Sequence, residues 1–351
     1  MVERTPREQV EMMRCLNHNG WAEEQLLPLL TPVEESWQPA DLLPCFSPCA
    51  GDEEQMVTMM DLEELQARAA GVPDDVLVCL VGNMVTEEAL PTYMSMGNRV
   101  KGFADETGCS DLPWARWLRG WTAEENRHGD LLNRYLYLSG RVDMRQVERT
   151  VHYLLRNGMR MVSPSSPYHS LVYGSFQERA TFISHARTAR HAALHGDRCL
   201  AKICGVISAD EKRHEVAYTK AVSVLFKADP DGMVRALATV LRGRITMPGQ
   251  LMTDGRDADL FEHFSAVAQR AGVYTARDYC DLVEHFVRRW KVEELGAGVL
   301  SGEGRRAQEY VCRLPRKIRK MEELAHDRAA QANKEPKFAR FSWVFDRPVR
   351  I

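Results

Sequence analysis

Two short stretches decide the fold: TAEENRHGD at residues 122–130 and SADEKRHEV at residues 208–216. Each contains an acidic pair, one intervening residue, an arginine and then a histidine, so a glutamate precedes a histidine by three residues. Because residues three apart lie on the same side of an α-helix, each stretch presents a carboxylate and an imidazole together. The repeat therefore predicts two helices that bring matching polar groups to one place.

The two pairs, Glu125 with His128 and Glu211 with His214, have apolar neighbours on the same helix face, which indicates that they point toward a core. A third pair, Glu323 and His326, lies in a Lys/Arg-rich helix with mostly polar surroundings. We predict that this third pair faces solvent.

A further glutamate precedes each buried pair on a largely apolar helix: Glu87 after VLVCLVGNMVT and Glu178 within YGSFQERATF. Burying carboxylates is costly unless they are paired or bind metal. Four carboxylates are neutralised by two divalent cations, and this is the ligand pattern of di-iron and di-manganese carboxylate bundles. Oxygen-rich ligands with two imidazoles favour iron or manganese. The predicted metal ligands are Glu87, Glu125, His128, Glu178, Glu211 and His214.

The rest of the chain reads as helices separated by Gly and Pro signals. We predict helices at roughly 75–100, 112–138, 143–157, 168–194 and 198–227, a helix from the capping box at 275–278 to about 295, and another reaching about 332. FSWVF (341–345) alternates, which allows a short terminal strand or hairpin. The predicted fold is all-α, with a ferritin-like di-iron four-helix bundle inside a larger helical domain. Residues 1–75 are expected to form an N-terminal arm packed on the bundle, and residues 76–351 the ferritin-like domain, in one structural domain overall.

Composition excludes several classes of protein. The 351 residues are 44% hydrophobic and 27% charged with a net charge of −3, which is ordinary for a globular chain. The longest apolar run, VLVCLVG, is far shorter than the roughly 20 residues of a membrane-spanning helix, so we expect no membrane span. The segment from residue 305 is basic but has no aromatic stacking series or nucleic-acid motif, so we expect no nucleic-acid partner. The N-terminus contains no evident signal or transit peptide.

Five stretches carry a resemblance to a known family: TEEALPTY (86–93), WTAEENRHGDLLNRYLYLSGRVDMRQVE (121–148), SFQERATFISH (175–185), ADEKRHE (209–215) and DGRDADLFEHFSAVAQR (254–270). On these, and over nearly its whole length, the chain resembles the soluble plant-type acyl-carrier-protein desaturases, the stearoyl-acyl-carrier-protein desaturase family. The resemblance implies an oxidoreductase that introduces a cis double bond into a saturated acyl chain carried on acyl carrier protein. It also implies two Fe²⁺ ions, dioxygen, electrons from ferredoxin, a homodimer and the chloroplast stroma. All six ligand positions hold the family's residue types.

The resemblance also assigns roles around the metals. Asp210 is expected to bond His128, and Trp37 to continue toward the surface as an electron route. The repeat suggests that Glu124 acts in the same way on His214, although an exposed Glu124 is equally consistent. Acids that hold ligand imidazoles in this way fix their tautomer and raise their basicity.

Thr181 is expected to face the metals, where the family has a hydroxyl near bound oxygen. A bond from this hydroxyl to its own helix backbone is the alternative. Pro91, four residues after Glu87, should kink the ligand helix, because proline supplies no backbone N–H.

The resemblance places four residues along the acyl cavity: Met96, Arg99, Trp121 and Ser170. His169 also falls beside them, in SPYHSLVYGSF, which departs from the family's form. Arg99 stands where the family usually has threonine, and Asn83 where it usually has aspartate. Arg99 either points inward and reshapes the cavity or extends to the surface. These departures leave open an altered chain length or regioselectivity.

Other functions fit parts of the pattern. A ribonucleotide reductase radical subunit needs a tyrosine near the metals, which Tyr218 could supply, whereas Leu132 fills the corresponding place after His128. A ferritin-like storage protein would need no acyl channel, and a metal-binding relative that does not desaturate is the main alternative. Because acyl carrier proteins are acidic, we expect docking on a basic surface. The candidate residues are Arg235, Arg242, Arg244 and Arg256, with the basic tail second.

Overall fold

The computed structural model describes residues 6–44, 52–102, 104–161, 166–243, 245, 247–296, 298–331 and 335–351, and only the backbone of residues 6, 52–60 and 325–331. Within these ranges the α-helices are α1 (Pro6–His18), α2 (Trp21–Gln25), α3 (Asp52–Ala69), α4 (Asp74–Glu87), α5 (Leu90–Gly97), α6 (Pro113–Ser139), α7 (Met144–Asn157), α8 (Pro167–Leu194), α9 (Arg198–Ala228), α10 (Pro230–Arg242), α11 (Leu260–Ala271), α12 (Ala276–Arg289) and α13 (Gly302–Gln331). The described part of the chain is therefore mostly helical, as predicted.

Helices α4, α6, α8 and α9 form a four-helix bundle, because α4 contacts α6 and α8, and α9 contacts the same two helices. Their ends follow from the local sequence. The side chains of Asp143, Ser166, Asp197 and Asp229 accept hydrogen bonds from the first turns of α7, α8, α9 and α10. Such N-caps satisfy backbone N–H groups that have no partner inside the helix. The predicted four-helix bundle is confirmed.

The predicted single helix over 75–100 is wrong, since the chain breaks there into α4 and α5. Helix α4 ends at Glu87, and α5 begins at Leu90 with Pro91 in its first turn. Proline has no N–H to donate to the Glu87 carbonyl, so the helix cannot continue without distortion. The expected effect of Pro91 is confirmed as a break, and it lies directly after a ligand position.

Two apolar clusters make up the core. One includes α4, α7, α11 and the C-terminal segment, and the other includes α8, α9, α10 and α12. The described part of the first 75 residues contributes to both, with Leu43 and Leu65 in the first cluster and Met13 and Leu26 in the second. These residues therefore pack on the bundle, while the division of the chain at residue 75 stays a prediction.

The C-terminus forms a hairpin of β1 (Phe338–Phe341) and β2 (Arg347–Arg350), which are antiparallel with Phe341 opposite Arg347. Of FSWVF, only Phe341 belongs to a strand, because Ser342–Val344 forms a turn of 3₁₀-helix. The buried Trp343 donates an indole hydrogen bond to Thr150 Oγ1 at 2.8 Å, so the turn itself packs into the core. The hairpin is confirmed, but most of the alternating stretch, from Ser342 onward, lies in its turn rather than in a strand.

Helix α12 ends at Arg289 rather than at about 295, and a short 3₁₀-helix, Val292–Glu294, follows it. No single described helix is long and apolar enough to span a bilayer. Among the described residues, the helices Asp61–Ala69 and Asp74–Gly97, which are bent by 112° relative to each other, meet these two criteria only when they are taken together.

Candidate metal centre

The bundle brings the six predicted ligands together in its interior. Glu87 ends α4, α6 carries Glu125 and His128, α8 carries Glu178, and α9 carries Glu211 and His214. All six are buried, and both imidazoles have no exposed surface. Two chain segments with the same Glu-x-x-His spacing thus face each other across the bundle, as the repeat predicted.

The ligand atoms form two overlapping groups, each with its atoms within 4.8 Å of one another. The first group is Glu87, Glu125, His128 and Glu211, and the second is Glu125, Glu178, Glu211 and His214. Glu125 and Glu211 belong to both groups. The arrangement therefore provides two metal positions, each with one glutamate and one histidine of its own and two carboxylates in common.

Several buried ligand atoms lack a hydrogen-bond partner among the described residues: Glu125 Oε1, Glu211 Oε1, and Nδ1 of both His128 and His214. His214 Nδ1 nevertheless lies 2.6 Å from Glu125 Oε1, and His128 Nδ1 lies 3.3 Å from Glu211 Oε1. Ligand atoms that converge on a shared cation are expected to lie close together without being aligned for hydrogen bonding with one another. Because a buried polar atom without a partner is costly, a pair of divalent metal ions fits this centre.

The electrostatics of the centre are unbalanced without a cation. Burial raises the pKa of Glu87 to about 7, and Glu211 and Glu125 add to this increase against a hydrogen bond from His185. Burial also raises the pKa of Glu178 well above its ordinary value. For Glu125, burial acts in the same direction, but the two neighbouring imidazoles hold its pKa well below the usual range. Carboxylates packed this closely favour occupation by metal.

The imidazole of His128 is held from behind by Asp210, as predicted. His128 Nε2 lies 3.3 Å from Asp210 Oδ2, and the Trp37 indole donates to the same oxygen at 3.1 Å. Trp37 also stacks on the His128 ring, with centroids 6.1 Å apart, and the Arg127 guanidinium lies 4.3 Å above the indole. A chain of contacts therefore runs from the half-buried Trp37 indole, through Asp210, to the His128 imidazole that could bind metal.

The second half of the centre repeats this arrangement. His214 Nε2 lies 2.7 Å from Glu124 Oε2, so Glu124 is buried and contacts the imidazole rather than being exposed. Arg213 links the two acids, with contacts of 3.1 Å to Glu124 and 2.6 Å to Asp210. Burial raises the pKa of both acids, but their imidazole and Arg213 contacts outweigh it and hold both below the ordinary value. Both acids therefore remain ionised and can orient the ligand imidazoles.

Glu178 and Glu87 each belong to only one of the two metal positions, and they have different hydrogen-bond partners. The Trp121 indole donates to Glu178 Oε1 at 3.1 Å. His185 Nε2 lies 3.0 Å from Glu87 Oε1, and His185 is buried. Sequence reasoning missed His185, although it follows Glu178 by seven residues on the same side of α8 and so lies near the same face.

Two further predicted positions have defined partners. The Thr181 hydroxyl contacts Glu211 Oε2 and also lies 3.1 Å from the carbonyl of Glu178 on its own helix, so both expected contacts are present. Asn83 Nδ2 donates to Ser184 Oγ at 3.1 Å inside the bundle. Where an aspartate would add a further buried carboxylate, the amide here makes a neutral pair.

An apolar cavity of about 140 Å³ reaches the centre at Glu178. Three of the predicted cavity residues, Met96, Trp121 and Ser170, line it, and Tyr218 and Gln177 lie along the same wall. A second cavity, of about 260 Å³, lies between α8, α11 and α12 and shares Gln177 with the first. The two cavities therefore flank α8 next to the ligand-bearing residues.

The family model for fatty acid desaturase matches residues 8–345. The chain belongs to the fatty acid desaturase family. It is 72% identical over 98% of its length to acyl-(acyl-carrier-protein) desaturase 4, chloroplastic, of Oryza sativa subsp. japonica, of which the match covers 82%. It is 57% identical over 99% of its length to stearoyl-(acyl-carrier-protein) 9-desaturase 3, chloroplastic, of Arabidopsis thaliana, of which the match covers 84%. The X-ray structure of the putative acyl-ACP desaturase DesA2 from Mycobacterium tuberculosis H37Rv matches with a TM-score of 0.47 and 18% identity, covering 81% of this chain and 95% of that one.

Arg99 is not among the residues that line the apolar cavity of this desaturase-family chain. It is exposed and lines a neighbouring surface depression, together with Met96 and Arg160. A guanidinium at the surface keeps its hydration, whereas one inside the cavity would lose it at high cost. His169 also lies outside both cavities.

The remaining described candidate residues do not belong to the two groups of ligand atoms. Glu323 is exposed, while the side chain of His326 lies outside the described residues. Arg235 pairs with Glu303 at 2.8 Å, and Arg256 pairs with Asp346 at 3.3 Å. Of the other two basic candidates, Arg242 has its guanidinium 4.7 Å above the Tyr310 ring, and Arg244 lies outside the described residues.

Proposed function

We propose that this protein is an acyl-carrier-protein desaturase, which introduces a cis double bond into a saturated acyl chain by means of two iron ions and dioxygen. The observation that carries the proposal is the apolar cavity that ends at Glu178, a ligand residue of the two-metal centre. Family membership and the printed names of the close relatives support the same substrate class.

The six ligand residues would hold the metals, with Glu125 and Glu211 common to both positions. An oxygen-rich set with two imidazoles suits iron. When bound there, two iron ions would supply the redox chemistry with which dioxygen, two electrons from a reductant and two protons remove two hydrogens from adjacent methylenes and leave two waters.

The chain's own residues position the substrate. A saturated acyl chain has no polar group where it reacts, so the shape of the cavity must select the methylenes that lie beside Glu178. Leu118, Val100 and Met96 supply apolar contact surface along the cavity wall. This wall also excludes water from the reacting part of the chain.

Asp210 and Glu124 accept hydrogen bonds from the Nε2–H groups of His128 and His214. Each imidazole therefore presents Nδ1 to the metal position. The Thr181 hydroxyl donates a hydrogen bond to Glu211 and lies beside the centre. We propose that Thr181 contributes to catalysis from this position.

We propose Trp37 as the surface end of the electron route, because it contacts both Asp210 and the His128 ring. Ferredoxin is the proposed donor. A homodimer in the chloroplast stroma is also a proposal, and the chloroplastic relatives support the plastid. For the acyl carrier protein we propose a basic surface that includes Arg235, Arg242, Arg244 and Arg256, with steering that weakens as salt is added.

Anaerobic reconstitution with iron, followed by dioxygen, a ferredoxin reducing system and a panel of acyl-carrier-protein substrates, tests the proposal. Mass spectrometry of the released acyl chains should detect the loss of two hydrogens in at least one substrate. Glu211→Ala should abolish both iron binding and product, whereas Glu323→Ala, in the exposed third Glu-x-x-His, should abolish neither. An iron-loaded, reducible protein that yields no product across the panel would identify it as a metal-binding relative that does not desaturate.

A further inference from the structure

The apolar cavity is separated from a depression on the protein surface by three methionines. Met96, Met159 and Met161 line both the 140 Å³ cavity and the depression, which measures about 750 Å³. All three are partly exposed. A single layer of side chains thus stands between the apolar interior and solvent at this end of the cavity.

The depression carries two positive charges. Arg99 and Arg160 both line it and are both exposed. Neither guanidinium makes an ion pair or hydrogen bond with the residues that the structure describes, and no described Asp or Glu lines the depression. Two guanidinium groups with no partner among the described residues therefore lie beside the methionine layer.

The methionine layer is suited to movement. Methionine is unbranched and adapts its shape easily to a neighbouring ligand. The cavity is also smaller than the roughly 300–1,000 Å³ of ordinary ligand pockets, so a long apolar ligand requires its walls to shift. Displacing the methionine side chains would join the cavity to the depression and lengthen the apolar space.

We propose that these residues form a second mouth of the cavity, which binds an unesterified fatty acid. The carboxylate lies on Arg99 and Arg160, and the alkyl chain passes between Met96, Met159 and Met161 toward Glu178. Guanidinium groups match a carboxylate in geometry and can bind it through paired hydrogen bonds. A fatty acid bound in this way would occupy the cavity proposed for the acyl chain, with its head group at the depression.

Binding alone tests the inference, so its outcome does not depend on whether the protein desaturates. Dodecanoate and 1-dodecanol, each below its aggregation limit, are titrated into the iron-loaded protein by isothermal titration calorimetry. Each methylene that enters the cavity should tighten binding about fourfold, so decanoate should bind more weakly than dodecanoate.

The double variant Arg99→Gln with Arg160→Gln should reduce the preference for dodecanoate over 1-dodecanol about tenfold, since two exposed charge contacts are lost. Arg190→Gln is the matched control, because Arg190 is an exposed α8 arginine that lines neither the cavity nor the depression. Met161→Phe should weaken both ligands by narrowing the passage. An unchanged preference in the double variant, unchanged binding in Met161→Phe, or no saturable binding of dodecanoate would each overturn the proposal.

Discussion

Replacing His185 by alanine should weaken iron binding, because it removes the hydrogen bond that holds Glu87. The two side chains meet at 3.0 Å, and both are almost fully buried, with 1% and 7% of their surface exposed. A hydrogen bond to a charged group contributes about 1.5–3 kcal/mol, and its loss here cannot be replaced by bulk water. At about 1.4 kcal/mol for each factor of ten, the expected loss in affinity is about 10- to 150-fold.

Two variants separate the lost hydrogen bond from a general loss of packing. In His185→Gln the side-chain amide can still donate to Glu87, so most of the affinity should return. Thr188→Ala is the matched control on α8, because the Thr188 hydroxyl is buried but bonds only the carbonyl of Ser184. It should leave iron affinity unchanged.

Competition between the protein and a chelator for Fe²⁺, at equilibrium and without oxygen, measures these affinities directly. Circular dichroism of the metal-free variants confirms that each remains folded. Iron affinity in His185→Ala within twofold of the parent would refute the assigned role of the 3.0 Å contact.

Other substitutions give distinct outcomes in the same measurements. Glu125→Ala should lose both iron ions, because Glu125 belongs to both ligand groups, whereas Glu87→Ala should retain one; equal stoichiometries would contradict the assignment. Asp210→Asn should weaken iron binding about tenfold or more through the less basic imidazole, and an unchanged affinity would remove Asp210 from the centre. Gly82→Ala should destabilise the metal-free protein by about 1–3 kcal/mol, because a Cβ there would overlap the Phe264 ring; thermal unfolding measures this, and an unchanged midpoint would contradict the packing.

The amino-acid sequence by itself determined which side chains could bind metal. The three-residue spacing of Glu125 and His128 is a local property of an α-helix, so it holds however the helix is packed. Pro91 also acts locally, because its missing N–H denies the Glu87 carbonyl a helical partner; this predicted a kink at that point but not the complete break between α4 and α5. Burial of four carboxylates on apolar helices then requires compensating charge, and this requirement also follows from composition and pattern.

Only the tertiary structure decided how these groups combine. Helical periodicity assigns a residue to a face, but the rotation and crossing of the helices determine which groups on different helices meet. The shared use of Glu125 and Glu211, and the contact of His185 with Glu87 across 98 residues, depend on that packing. Arg99 is a further case: its place in the sequence allowed an inward or an outward guanidinium, and in the fold it lies exposed in the turn that follows α5. Long-range contacts of this kind are set by packing as a whole, which no local spacing encodes.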